Sequence, residues 1–471
     1  MYYQHSDKFD GVKGLKPSYK QKTIKKYNGD IMNIILYFSD QQRYDTVNES
    51  VMPNICSMAD DSIFFDNAFT CQPVCGPARA CIQTGLYATQ NNCYINGISM
   101  DKDDDNAIAK VLNRNGYNTS YIGKWHLASD TMGPKPRQNV QKLPIPQELR
   151  GGYNDYWLAA DCLEFTSDVH GGYMFDKDNN KVEFEGIRSD CINDFAMDYI
   201  DKYDQDKPFF LMISQLEPHH QNTANTFQCA EGEDKQFQDV PYPDDLVGLK
   251  GNYKEEYARY LACCKRLDKN FADIVQKVKD KGIWNDTVII YTSDHGCHFK
   301  TRNFEYKRSA HDASTHLPFV MTGGGLAKLK CAQKYIGKRF GGFVNLLDLS
   351  ATILDISGAE IPKEYQSESI LPMLENDKGR DHIFLQISES QLGRAIITDK
   401  YTYSVKKPFS FGIEKATSKL YKEDLLYDNI ADPAQHKNLV RNRKYKDIKR
   451  ELKKTLLEDI EKIEGVKAKI F

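Results

Sequence analysis

Two patterns predict an α/β protein built on a mixed, mostly parallel sheet sandwiched by helices, with a smaller C-terminal α+β domain carrying an antiparallel sheet. Short apolar runs alternate with helix-period segments through most of the 471 residues, as βαβ units require. Near Ile361–Pro362 the alternation gives way to short strands closed by an amphipathic segment. The first pattern places strands at 32–38, 119–122, 208–216, 287–291 and 318–321, each a short apolar run. Helices fit 107–115, 190–202 and 253–279. In the last of these Tyr257, Leu261, Leu267, Phe271, Ile274 and Val278 share one face. Residues 343–357 read as a further helix. The second pattern places strands at 382–387, 394–397 and 401–406 and a final helix at 445–463, with Ile448, Leu452, Leu456, Ile460 and Ile463 inward. The expected boundary lies within 365–380, giving a catalytic domain of residues 1–370 and a C-terminal domain of 371–471.

A net charge of −3, with 63 basic and 66 acidic residues, offers no basic face for nucleic acid. Twelve cysteines are scattered without zinc-finger or disulfide-scaffold spacing, so reduced thiols are expected. No run approaches the roughly 20 apolar residues that span a bilayer, and the first 26 residues carry no apolar core of a signal peptide. A soluble cytoplasmic protein without membrane contact is the expectation. Thr322–Gly325 lacks the Lys–Ser/Thr ending of a phosphate loop and reads as a turn, and Cys263–Cys264 reads as helix packing.

Ligands of open α/β sheets gather beyond the carboxyl ends of the strands. Four apolar runs here end in chemistry: Asp40–Gln41, Lys124–Trp125–His126, His219–His220 and Asp294–His295. One polar strand end is ordinary, but four with carboxylate, amide, imidazole and ammonium groups point to a site. Asp40, Gln41, Asp294 and His295 suit a hard divalent cation such as calcium or magnesium, and the imidazole keeps manganese open. Lys124, His126, His219 and Lys307 would then surround an oxyanion with positive charge and proton-transfer groups.

Between the first two ends stands Cys75–Gly–Pro77–Ala–Arg79. Pro77 fits the first turn of a helix through 78–86, which sets Cys75 at the helix's positive end, where an oxyanion ester is favoured. One turn on, Arg79 offers a rigid donor fork. This C-x-P-x-R run resembles the site at which type I sulfatases convert cysteine to formylglycine. The resemblance extends over roughly residues 30–440 through Asp40–Gln41, Thr84–Gly85, Gly123–Lys124–Trp125–His126, Pro218–His219, Ser293–Asp294–His295–Gly296 and Lys307.

The resemblance implies an alkaline-phosphatase-like fold, a sulfuric ester hydrolase, and a formylglycine made from Cys75 by a maturase. One hydroxyl of the hydrated aldehyde would bind the metal and attack sulfur, so Cys75 joins Asp40, Gln41, Asp294 and His295 at the cation. It implies that Arg79 holds the hydrate, that Lys124, His219 and Lys307 neutralise sulfate oxygens, that His219 or Lys307 protonates the leaving oxygen, and that His126 takes the proton that releases sulfate. Gln41 stands where many members have aspartate, His295 where many have asparagine, and His316 where arginine is usual. Ala78 fits the cysteine-type sulfatases of anaerobic bacteria, matured by an oxygen-independent radical enzyme. His220, His311 and His316 are candidate substrate contacts. Residues 129–190 and 220–250, rich in Tyr, Asn, Asp and Trp, suit a sulfated sugar, with exo-action on a terminal unit in a pocket. A phosphonate monoester or phosphodiester hydrolase and a non-catalytic sulfated-glycan-binding protein are the competing readings.

Overall fold

The computed structural model describes residues 32–132, 138–204 and 206–471. Its centre is an eleven-stranded sheet. From one edge the strands run Lys338–Asn345, Ser62–Phe69, Phe319–Thr322, Thr287–Ser293, Asn33–Ser39, Phe209–Ser214, Asn118–Lys124, Tyr156–Ala160, Gly171–Asp176 and Ser167–Asp168, with Lys181–Glu185 also paired to Gly171–Asp176. The five strands from Thr287–Ser293 to Tyr156–Ala160 are all parallel, while Phe319–Thr322 is antiparallel to both of its neighbours.

Because strand side chains alternate between faces, a central strand of unbroken apolar residues feeds two cores. Ile34, Leu36 and Phe38 join Val288, Ile290, Phe210 and Met212 under the helices Cys75–Thr84, Ile108–Arg114 and Asp348–Ser357. Ile35 and Tyr37 join Ile289, Tyr291, Leu211 and Ile213 under Arg188–Lys202 and Tyr253–Asp280. Each fully buried aliphatic or aromatic side chain contributes about 1.5–3 kcal/mol. The strand ends therefore rest on a scaffold that does not need an ion to fold.

Ile383–Ile387, Gly393–Ile397, Tyr401–Lys406 and Leu420–Asp428 form the antiparallel part of a second, five-stranded sheet, which Lys469–Ile470 closes in parallel. The helix Lys446–Glu464 covers it with Leu452, Leu456 and Ile460. Between the sheets, the short helix Ile370–Glu375 lends Ile370, Leu371 and Leu374 to the large core.

One expected element is corrected. The 343–357 helix divides into the strand Lys338–Asn345 and a helix that starts only at Asp348. The strand hides because Gly341 and Gly342 interrupt its apolar residues and its register shifts between Phe340 and Phe343. The Cys75 helix also differs: it begins at Cys75 itself and ends at Gly85, whose φ of 66° is left-handed. Pro77 is the third residue, where a missing N–H costs no helix bond. All twelve cysteines are free. Among the described residues no helix is long and apolar enough to cross a membrane.

Candidate active site

The parallel strands open their carboxyl ends on one edge of the sheet. Thr287–Ser293 and Asn33–Ser39 deliver Asp294–His295 and Asp40–Gln41 side by side, and the amide of Gln41 donates to Asp294 Oδ1 at 3.0 Å. Two strands across, Asn118–Lys124 delivers Lys124. Gly123 is required there: its φ is 107°, and a Cβ would lie 2.0 Å from the Ser214 carbonyl oxygen. Gln41 and His126 hold left-handed φ values of 68° and 61°, conformations disfavoured for side-chain-bearing residues that re-aim both out of the strand direction. The Cys75 helix points its N-terminus into the same space, and Gly76 donates its first-turn N–H to Asn96 Oδ1 at 2.9 Å.

Cys75 is the hub. Its Sγ lies 3.4 Å from Asp40 Oδ1 and 3.2 Å from His295 Nε2, and Lys307 Nζ donates to it at 2.8 Å. Burial acts to raise the thiol's pKa, but Lys307, Lys124 and His295 outweigh it and hold Cys75 well below the ordinary thiol range. Asp40 is likewise held low. Burial and Cys75 push it up, and Lys124 and Arg79 prevail. Its Oδ2 meets Lys124 Nζ and Arg79 Nη2, each at 3.0 Å. Arg79 also donates to the Lys124 carbonyl and to Ser214 Oγ, so one guanidinium locks three strand ends together.

The donor set fits a divalent cation. Among the described residues nothing hydrogen-bonds the buried Gln41 Oε1 or Asp294 Oδ2, a costly state that an ion would relieve. His295 donates Nδ1–H to the Gly296 carbonyl at 3.0 Å, which leaves the Nε2 lone pair facing the cluster, as a ligating imidazole needs. Burial, then the neighbouring Asp40, push the Asp294 carboxyl up to about 6, the mark of two buried carboxylates sharing a space built for positive charge. Atoms of Asp40, Cys75, Asp294 and His295 all lie within 4.8 Å of one another.

Opposite, His219 donates Nδ1–H to the His220 carbonyl at 2.6 Å, so its Nε2 accepts from Lys307 Nζ at 3.2 Å. Burial, then Lys307, lower its pKa and keep the ring neutral. His220 stacks on His219 at 4.5 Å and on Tyr306 at 4.2 Å, with Nδ1 at 3.4 Å from Gln41 Nε2. His126 also acts to lower the pKa of Cys75.

Two expected substrate contacts are corrected. His311 is buried between Ser309 Oγ and Tyr427 Oη, at 3.0 and 3.1 Å, and ties the large domain to the small sheet. His316 is sandwiched between Tyr44 and Phe69 and bonds the Asp66 carbonyl. Both are occupied away from the cluster. Conversely, Glu164, 3.3 Å from Lys124 Nζ, was not anticipated. Nor was Arg308, which pairs with Glu389 of the small domain beside Lys307. Glu164 follows Tyr156–Ala160, a strand end of the same kind as the other four; that was its available signal.

The sequence profile of the Sulfatase family matches residues 32–359, and that of the N-sulphoglucosamine sulphohydrolase C-terminal region matches 301–462. An ulvan-active sulfatase of Formosa agariphila is 25% identical over 446 residues, covering 89% of this chain and 79% of the relative. An arylsulfatase of Clostridium perfringens is 24% identical over 494 residues, covering 91% and 94%. Among solved structures, one from work on glycosaminoglycan metabolism by Bacteroides thetaiotaomicron superposes with a TM-score of 0.76 at 23% identity, covering 92% of this chain and 97% of that one. Another, bound to D-glucosamine-2-N,6-O-disulfate, gives 0.72 at 20% identity, covering 93% and 98%. The Sulfatase match takes in every strand end that carries the cluster, so this chain belongs to the sulfatase family and is a sulfuric ester hydrolase.

Proposed function

We propose that the sulfate ester is carried by the terminal unit of a saccharide, that Cys75 acts after a maturase converts it to formylglycine, and that a hard divalent cation, calcium before magnesium or manganese, is held by Asp40, Gln41, Asp294 and His295. One observation carries the reading. Cys75 Sγ is in contact with Asp40 Oδ1 and His295 Nε2, two of the proposed ligand atoms, and with Lys307 Nζ. The residue that would attack thus touches both a cation site and an ammonium group.

When bound, the cation supplies positive charge for a sulfate oxygen and acidifies the attacking hydroxyl of the hydrated formylglycine. The chain's own groups do the rest. Arg79 and Lys124 keep Asp40 ionised and fixed, which holds the reacting geometry. Lys307 Nζ holds a proton within reach of a leaving alcohol oxygen, and the neutral His219 Nε2 behind it forms a relay. His126, on another flank of Cys75, is the base that releases sulfate. The deep burial of Cys75 and Lys307, 2% and 4% exposed, favours a terminal unit over an internal one. Support for a saccharide comes from a relative whose name specifies a sugar sulfate, an N-acetylglucosamine-6-O-sulfatase of Bacteroides thetaiotaomicron.

The test is production with an oxygen-independent maturase, then sulfate release from a panel of O- and N-sulfated mono- and disaccharides beside an aryl sulfate and an aryl phosphodiester. We expect a saccharide to be preferred, a Cys75 peptide lighter than its unmodified form, and activity that chelation removes and calcium restores best. Efficient aryl sulfate turnover with no saccharide accepted sinks the substrate assignment. Preferred phosphodiester turnover favours the phosphohydrolase. An active preparation with wholly unmodified Cys75 sinks the formylglycine, and full activity after verified metal loss sinks the cation.

A further inference from the structure

A second group of metal-binding atoms lies across Lys124 from the cage. Lys124 Nζ bridges Asp40 Oδ2 at 3.0 Å and Glu164 Oε1 at 3.3 Å. On the Glu164 side, one ligand atom each from His126, Cys162 and Glu164 lie within 4.8 Å of one another. The placement follows from the sheet. Asn118–Lys124 and Tyr156–Ala160 are adjacent parallel strands with Lys124 opposite Ala160, so the turns that follow them run side by side. Backbone bonds from Trp125 to the Ala160 carbonyl and from His126 to the Asp161 carbonyl, at 2.9 and 2.8 Å, clamp the turns together. His126 itself holds a left-handed φ of 61°.

Two observations show that the group is not satisfied as it stands. Among the described residues nothing hydrogen-bonds His126 Nδ1 or Glu164 Oε2, although both atoms are buried. A buried polar atom left without a partner is costly to the fold. Glu164 is 4% exposed and Cys162 2%. A protein does not leave an imidazole nitrogen and a carboxylate oxygen unpartnered beside a thiol without cause, and a metal ion would satisfy all three. The donors also differ from those of the cage: thiolate, imidazole and a single carboxylate are the ligands of a borderline ion, with three protein ligands and one open position.

We propose that His126, Cys162 and Glu164 form a second metal site, for a borderline divalent ion such as zinc, whose occupation inhibits the enzyme. On binding, the Cys162 S–H bond breaks, its proton passes to solvent, and a sulfur–metal bond forms. The imidazole lone pair becomes a ligand and no longer accepts a proton. Inhibition rests on the role given to His126 in the proposed function; the metal site itself does not.

The test uses the matured, calcium-loaded enzyme and cobalt(II) as a spectroscopic probe. We expect a near-ultraviolet thiolate-to-cobalt band that saturates at one ion per chain with calcium retained, and that zinc abolishes by displacement. Cys162→Ser should lose the band and bind zinc at least about 10-fold more weakly, since even outer-shell changes cost 10–100-fold. The ratio of rates with and without micromolar zinc should fall well below one in the parent and return toward one in Cys162→Ser. Should that variant melt early, Cys162→Ala replaces it. A band that persists without Cys162, no band at all, or cobalt uptake matched by calcium loss would overturn the site. Loss of the band with zinc inhibition unchanged would overturn the inhibitory role. An inactive enzyme that still shows the Cys162-dependent band would leave this site standing and sink the proposed function instead.

Discussion

Arg43 and Arg79 are both 1% exposed, the first in the turn after Asp40 and the second paired with Asp40, yet they are bonded in opposite ways. Arg43 spends every donor group: Nε on Asp45, Nη2 on Asp45 and Asp245, and Nη1 on Asp245 and the Cys297 carbonyl. Arg79 binds Asp40, Ser214 and the Lys124 carbonyl but leaves Nε without a hydrogen bond, 3.5 Å from an Asp294 Oδ2 that is itself unbonded. A closed network specifies structure. An open one, with orphaned atoms converging on one space, specifies a place for something else. The contrast separates buried charges whose bonding is complete from those that also keep atoms open toward an ion and a substrate.

The largest test of that division is Asp294→Asn. In the loaded enzyme turnover should fall on the order of 10³-fold, as for loss of a major electrostatic stabiliser. In metal-free protein the same change should raise the melting temperature at pH 7. The reason is the carboxyl pushed up to about 6: at pH 7 it is ionised at a cost in the fold that it does not bear when unfolded. A metal-free variant that melts lower than its parent would break the comparison. Next comes Arg43→Ala, which leaves two carboxylates without their partner and should cost about 3–5 kcal/mol in denaturant unfolding. Smaller again is Arg79→Lys. It keeps the charge but loses the fork, so turnover should drop about 10²-fold through misplacement, with a melting shift well below that of Arg43→Ala. Arg43→Ala with a normal melt, or Arg79→Lys with normal kinetics, would reverse the assignments.

Much of the centre was legible because the chemistry follows apolar runs. Asp40 and Asp294 come directly after strands whose hydrophobicity cannot be mistaken, Lys124 ends such a strand, His219 stands in the turn beyond Phe209–Ser214, and the parallel topology brings them together. Cys162 and Glu164 were missed because Tyr156–Ala160 lies toward the sheet edge within a segment read as variable loop. Its outer neighbour Gly171–Asp176 pairs in turn with Lys181–Glu185, which alternates exposed and half-buried residues, so the region carries little apolar signal. His311 and His316 were misjudged for another reason. A histidine near a site in sequence has no directional signature, and here both rings were drawn into packing, one onto Tyr427 and one between Tyr44 and Phe69.

The smallest effect separates the same two regions by pH. His316 lies against Tyr44, next to Arg43, at centroid distances of 3.8 Å from Tyr44 and 4.6 Å from Phe69, with Nε2–H donating to the Asp66 carbonyl. Burial lowers its pKa from 6.5 to about 4, and that hydrogen bond offsets only part of the shift. The unfolded chain therefore binds a proton that the folded chain refuses between those values. The contribution of His316 is intact above pH 6.5 and is lost progressively as the pH falls toward 4, at no more than about 1.4 kcal/mol per pH unit for one proton. His316→Phe keeps the stack and removes the titration, so its unfolding free energy should fall less steeply than the parent's across that window. The pH dependence of kcat/KM should stay where it is, because the ring belongs to the closed network around Arg43. A variant whose acid stability slope matches the parent's would remove His316 from that network. A variant whose pH–rate profile moves instead would return His316 to the substrate side, where the sequence first placed it.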